Sequence, residues 1–169
     1  MKLINKLSIV VSVYNEEAVL DKFYETILPI LEGIDSDYEL IFVNDGSRDA
    51  SPAILDRLAM DSKKVKVIHF SRNYGHEAAM IAGIDYSSGD GIVCMDADLQ
   101  HPVECIPQIL DTFNQGYEVI SMVRTANKSA GFVKNLTSGL FYKILNKISE
   151  VHFEENASDF FAITKKPAE

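Results

Sequence analysis

The chain has 169 residues, of which 47% are hydrophobic and 24% charged, and its 16 Lys and Arg against 25 Asp and Glu give a formal net charge of -9. This length fits one domain with a single core, and the apolar fraction excludes a disordered chain. The acidic balance argues against nucleic-acid binding, and no stretch approaches the roughly 18 apolar residues of a membrane span.

The N-terminus lacks the long apolar region and small-residue cleavage site of a signal peptide. Cys94 and Cys105 are too few for a disulfide framework, so a reducing cytoplasm is the expected compartment.

Leu7–Val13 is apolar and rich in β-branched residues, and predicts a buried strand. Glu17–Leu31 places Leu20, Phe23, Tyr24, Ile27 and Leu31 near helical spacing. Tyr38–Val43 predicts a second strand, ending at Asn44-Asp45-Gly46-Ser47. Ser51 and Pro52 read as the cap and first position of a helix reaching Asp61. Val65–Phe70 predicts a strand, His76–Ser87 a helix, and Ile92–Met95 a fourth strand. Pro102 opens a helix that stops near Gly116, and Glu118–Val123 predicts a fifth strand.

Strands alternating with helices of about 11–15 residues imply βαβ units and an α/β fold with a largely parallel sheet. In such sheets ligands bind outside the carboxyl ends of the strands. The polar clusters fall at those ends: Tyr14-Asn15-Glu16, Asn44-Asp45-Gly46-Ser47, Ser71-Arg72-Asn73 and Asp96-Ala97-Asp98, with Arg124 after the fifth strand.

Asp96 and Asp98 flank one small residue, Ala97, and suit Mg²⁺ or Mn²⁺ with room for phosphate oxygens. The competing reading is a helix cap, but Asp98 lies four residues before Pro102, too early for one. Asn44–Ser47 alone reads as a turn. Beside the aspartate pair, Asp45 becomes a candidate partner for a base or ribose. Tyr14 reads equally as a base-stacking ring or a packed one. Arg124 and Lys128 suit a diphosphate or an anionic acceptor, with a solvated surface as the alternative. Arg72 reads as a phosphate ligand or as the partner of a nearby carboxylate. His69 reads as a packed strand residue, His76 as a lone histidine, and His101 as a neighbour of the metal or a cap.

Charge is uneven along the chain. Residues 1–124 hold 10 basic and 20 acidic residues, whereas residues 125–150 hold four lysines and one acid, Glu150. Within that basic island, residues 129–149 predict an amphipathic helix with Phe132, Leu136, Leu140, Ile144 and Ile148 on its apolar arc and Lys134, Lys143 and Lys147 at its borders. Such a helix can lie at a membrane interface, face a core, or join subunits of a homo-oligomer.

The stretches SIVVSVYNEE, YELIFVNDGSRDAS and HFSRNYGHEAAMIAGIDYSSGDGIVCMDADLQHPVE together resemble family 2 glycosyltransferases of the GT-A fold. Within that family they are most similar to the branch acting on polyprenyl phosphates, the dolichol-phosphate mannose synthases and bactoprenol glucosyltransferases. The resemblance covers residues 5–125 strongly and continues loosely to about 163.

What the resemblance implies is a Rossmann-like sheet flanked by helices, one nucleotide-sugar-binding domain over residues 1–169, and a UDP- or GDP-sugar donor. It assigns Asp96, Asp98 and Gln100 to Mg²⁺ or Mn²⁺, and Ser12, Tyr14, Asn15, Glu16 and Asp45 to base and ribose. Ala97, Arg72 and Lys128 fall among the substrate-binding positions, and Arg124 is placed for the phosphates. Asp159, in SDFF, is the best remaining carboxylate near the transfer. The reaction inverts the anomeric carbon, and a polyprenyl phosphate acceptor places the protein on the cytoplasmic face of a membrane. The alternatives are an acceptor that is soluble or part of a surface polysaccharide, and a weakly active nucleotide-sugar-binding module.

Three positions depart from the family pattern. Ser12 stands for a usual proline, Asn44 for a usual aspartate, and Phe161 for a usual arginine. The resemblance also implies that the family's later helices and membrane spans lie beyond residue 169, past a predicted strand at Asp159–Ile163.

Overall fold

In the computed structural model, residues 4–123 and 157–165 are described. The chain divides into two units, Met1–Ile120 with Phe160–Glu169, and Ser121–Asp159.

The six strands are β1 (Lys6–Val13), β2 (Asp37–Asn44), β3 (Val65–His69), β4 (Gly91–Asp96), β5 (Val119–Val123) and β6 (Ala157–Thr164). They form one sheet in the order β3-β2-β1-β4-β6-β5. β1, β2, β3 and β4 run parallel, whereas β6 pairs antiparallel with β4. The helices are α1 (Leu20–Gly33), α2 (Ser51–Asp61), α3 (His76–Tyr86) and α4 (Ile106–Asn114), the last preceded by a 3₁₀ turn at Val103–Cys105.

β1 is buried from Leu7 onward because it lies between two parallel neighbours and is covered on both faces. α3 covers one face. There Ala79 and Met80 pack with Val10, Ile41, Val43, Ile92 and Cys94. Gly83 permits this approach, since a Cβ there would lie 2.2 Å from Cγ1 of Val10. α1 lies on the other face, where Phe23 meets Phe42 edge-on at 6.1 Å between ring centres. Its buried Leu20, Phe23, Ile27 and Leu31 repeat at three- and four-residue steps. Burying each such side chain contributes roughly 1.5–3 kcal/mol.

The register decides where the chemistry sits. Ser12 is paired with Asp96 across β1 and β4, Val13 with Asn44 across β1 and β2, and Asn44 with His69 across β2 and β3. Four parallel strands therefore end level, and their polar termini form one edge.

Three helix starts differ from the sequence reading. The helix expected to open at Pro102 begins as α4 only at Ile106, behind the 3₁₀ turn. α1 begins at Leu20, because Glu17 is drawn into the preceding loop, where its carboxylate accepts the Ala50 amide at 2.7 Å. Ser51 lies inside α2 behind an Ala50 cap, and its hydroxyl accepts the Glu16 amide at 2.9 Å. Among the described residues, no helix is long and apolar enough to cross a membrane.

Candidate active site

Two loops at the strand ends are knitted together. The Asn15 amide donates to Ser47 Oγ at 2.9 Å, and Asn15 Oδ1 accepts the Arg48 amide at 2.8 Å. The Glu17 amide donates to Asp49 Oδ2 at 3.0 Å. These reciprocal bonds fix residues 14–17 against residues 47–51, and Asn15 takes the left-handed φ of 56° that asparagine tolerates.

Asp45 ties in a third loop. It is only 3% exposed, and its two carboxylate oxygens accept the amides of Tyr74 at 2.6 Å and Gly75 at 2.9 Å. The carboxylate read as a partner for base or ribose thus holds the segment leading into α3.

Between these loops lies a cleft of about 390 Å³, lined by residues that include Tyr14, Gly46, Ser47, His69 and Arg72. Tyr14 is exposed there, with its ring unburied. Arg72 has no carboxylate partner among the described residues, and its guanidinium instead lies 4.7 Å from the centre of the Tyr74 ring. His69 is not packed in the core. Its Nδ1 meets Asn44 Nδ2 at 2.9 Å and its Nε2 meets Asp56 Oδ1 at 3.0 Å. Asn44 Oδ1 accepts the Ser47 amide, so Nδ2 is the atom left to donate to His69.

The aspartate pair begins at the last residue of β4, where Asp96 is paired with Ser12 of β1. Ser12 Oγ donates to Asp96 Oδ1 at 2.6 Å, and His76 Nδ1 lies 2.9 Å from that hydroxyl and 3.2 Å from the same carboxylate oxygen. The Asp96 amide donates to Nδ1 of His101, which is 5% exposed and stacks on Phe160 at 5.2 Å. Ala97 is buried. Asp98 Oδ1 accepts the Gln100 amide at 2.9 Å, and Leu99 between them takes a left-handed φ of 60°. A bulky residue in that region marks local strain of the kind found at functional sites.

Burial together with the charges of Asp98, Asp96 and Asp49 raises the Glu16 carboxyl above its ordinary range. Glu16, Asp96 and Asp98 thus share one negative field that a cation would relieve. Among the described residues, no three His, Cys, Asp or Glu side chains form a group able to hold a metal ion. Two carboxylates give part of a coordination shell, which is how Mg²⁺-type ions are held when substrate phosphates and water complete it.

His76, read as a lone histidine, reaches Asp96 from the start of α3. His101, read as a neighbour of the metal or a cap, lies five residues beyond Asp96 in the same turn and takes its amide. Phe161 is paired with Cys94 and packs against the core under α3, so that position serves the core. Asp159 falls on β6. Arg124, Lys128 and the amphipathic segment 129–149 lie outside the described residues.

A family model for Glycosyl transferase family 2 matches residues 8–169. The chain belongs to glycosyltransferase family 2. A bactoprenol glucosyl transferase of Shigella phage SfV is 38% identical over 164 residues, covering 97% of this chain and 53% of that protein. The chain therefore spans about half the length of this curated relative. Two family-like structures share the fold. The mannosyltransferase PcManGT of Pyrobaculum calidifontis, solved with GDP-Man and Mn²⁺, superposes with a TM-score of 0.62 at 16% identity, over 95% of this chain and 44% of that one. The glucosyl-3-phosphoglycerate synthase of Mycobacterium tuberculosis, solved with Mn²⁺, UDP-glucose and phosphoglyceric acid, gives 0.64 at 21% identity, over 95% and 56%. The GT-A expectation for the fold is met.

Proposed function

We propose that this chain is the donor-binding part of an inverting, metal-dependent hexosyltransferase that moves a sugar from a UDP- or GDP-sugar to a polyprenyl phosphate. The observation that carries this reading is the level edge of the parallel strands, which sets Asp96 beside Ser12, two residues before Tyr14 of the cleft. The 38% identity to a bactoprenol glucosyl transferase supports the acceptor class.

The cleft's volume suits a nucleoside. Tyr14 offers its ring to the base, while Asn15, Asp45 and Gly46 hold the walls. The sugar diphosphate then runs toward Ser12 and Glu16. Asp96, Asp98 and Gln100 would hold Mg²⁺ or Mn²⁺. Such an ion supplies charge neutralisation for a diphosphate leaving group. Arg72, Arg124 and Lys128 are assigned to the phosphates of donor and acceptor, and Asp159 to the transfer region.

The acceptor phosphate is already an anion at neutral pH, so no general base is required. Its oxygen attacks the anomeric carbon from the face opposite the nucleotide. The new carbon–oxygen bond forms as the bond to the diphosphate breaks, and the nucleoside diphosphate leaves with the electron pair. The protein's part is to position two anions and screen them from each other. Residues 129–149 are assigned to the membrane surface, on its cytoplasmic face, where the lipid must be met.

The test uses the full chain with labelled UDP-glucose or GDP-mannose, Mn²⁺ and undecaprenyl phosphate. Label entering the lipid phase supports the reading, and an inverted anomeric configuration in the product supports the mechanism. Label appearing only on soluble glycan overturns it.

A further inference from the structure

Asp96 is held from three directions, and two of the holders touch one oxygen. Ser12 Oγ donates to Oδ1 at 2.6 Å, and His76 Nδ1 lies 3.2 Å from the same oxygen while its hydrogen bond is to the Ser12 hydroxyl. The Ser12 hydroxyl has a single proton, and it goes to Asp96. His76 Nδ1, 2.9 Å from that hydroxyl, must then carry a proton and donate to it. Oδ2 of Asp96 has no hydrogen bond among the described residues. The third holder, His101, takes the Asp96 amide and fixes the backbone where β4 ends.

From this geometry we infer that Ser12 and His76 are positioning residues for the donor site, a clamp on Oδ1 of Asp96 that keeps Oδ2 turned to the cation and the sugar nucleotide. The inference rests on the metal-assisted donor site proposed above. Neither residue ligates the ion. Their work is to remove the rotational freedom of a carboxylate on a strand end that borders solvent, since Asp96 is 26% exposed. Side chains that orient a metal ligand in this way are worth about 10–100-fold in metal affinity when removed. The donor has to come from Nδ1, which distinguishes the clamp from any use of Nε2. Asparagine places an amide nitrogen close to where Nδ1 sits, whereas leucine fills the space without a donor.

Mn²⁺ binding is measured by the loss of the free-ion paramagnetic resonance signal, in the full chain, with UDP and separately with GDP present. Ser12→Ala and His76→Leu are expected to weaken Mn²⁺ binding about tenfold or more, and to raise the Mn²⁺ requirement of transfer by a similar factor. His76→Asn is expected to bind close to the wild type. Thermal unfolding of each variant separates a folding defect from a binding one. If Ser12→Ala does not fold, the contrast between His76→Asn and His76→Leu decides. Wild-type binding by Ser12→Ala and His76→Leu, with binding lost in Asp98→Ala, overturns the clamp and leaves the donor site standing. Equal loss in His76→Asn and His76→Leu overturns the assignment to Nδ1. No binding by the wild type with either nucleotide overturns the clamp and the donor site together.

Discussion

A Cβ on Gly46 would lie 2.3 Å from the carbonyl carbon of Arg72, so the turn after β2 and the loop after β3 touch backbone to backbone. Gly46 also has a φ of +68°. Gly46→Ala combines a left-handed conformation with a clash that no side-chain motion relieves. The expected cost is about 2–4 kcal/mol in chemical denaturation. Because both loops line the cleft, nucleotide affinity should fall with it.

Tyr14 and Arg72 face that cleft from opposite loops. A ring stacked on a nucleobase is worth roughly 1–3 kcal/mol. Tyr14→Ala should therefore raise the donor KM about tenfold or more, with a smaller change in kcat. Tyr14→Phe should retain most of the affinity. Equal losses in both variants would assign Tyr14 to a hydroxyl contact instead.

Glu39 anchors the opposite end of the sheet. It is 2% exposed, and its carboxylate accepts Lys66 Nζ at 2.7 Å, Lys6 Nζ at 2.9 Å, Ser8 Oγ at 2.6 Å and the Ser88 amide at 2.6 Å. Burial alone would raise its pKa, but the bonds from Lys66, Ser8, Ser88 and Lys6 outweigh it and hold the carboxyl far below the usual range. A depressed carboxylate stabilises the fold fully above its unfolded pKa, and this contribution is lost as pH falls toward the folded value. Glu39→Gln should cost about 2–3 kcal/mol at pH 7. The deficit should shrink steadily below about pH 4.5, the ordinary carboxyl value. Urea midpoints of the two proteins across pH 3–7 would show the curves converging on the acid side.

Cys94 lies in the core under α3, and burial pushes its thiol up to about 12. A thiol reagent at pH 8 should leave Cys94 unmodified in the folded protein and label it only on unfolding. Labelling of Cys94 at the rate of a free thiol would contradict its placement.

The strands and their order of polarity were legible from residue type alone. Ile92–Met95 is apolar without alternation, and Leu7–Val13 is broken only by Ser8 and Ser12, which marks strands covered on both faces. The Asp-Ala-Asp turn and the polar strand ends were legible because a parallel sheet collects its chain reversals at one edge. Glu39 was not, since a charged residue between Tyr38 and Leu40 reads as solvent-facing until the register brings in Ser8 and the side chains of Lys6 and Lys66. His69 and His76 were illegible for the same reason, since their partners lie 13 to 64 residues away. His101 is only five residues from Asp96, and the sequence reading as a neighbour of the metal or a cap already pointed there. Ser51 looked like a helix cap because cap and loop partner use the same hydroxyl, and only the neighbouring loop at Glu16 decides between them.

The proposed function puts the donor's diphosphate and its metal at Asp96 and Asp98. Paramagnetic broadening of backbone amide signals by Mn²⁺ in the presence of UDP or GDP reports on this position. The strongest broadening is expected at residues 12–16 and 96–100, with weaker effects along 44–48 and 72–75, and it should disappear in Asp98→Ala. Broadening centred elsewhere in the chain, or unchanged in Asp98→Ala, would contradict it.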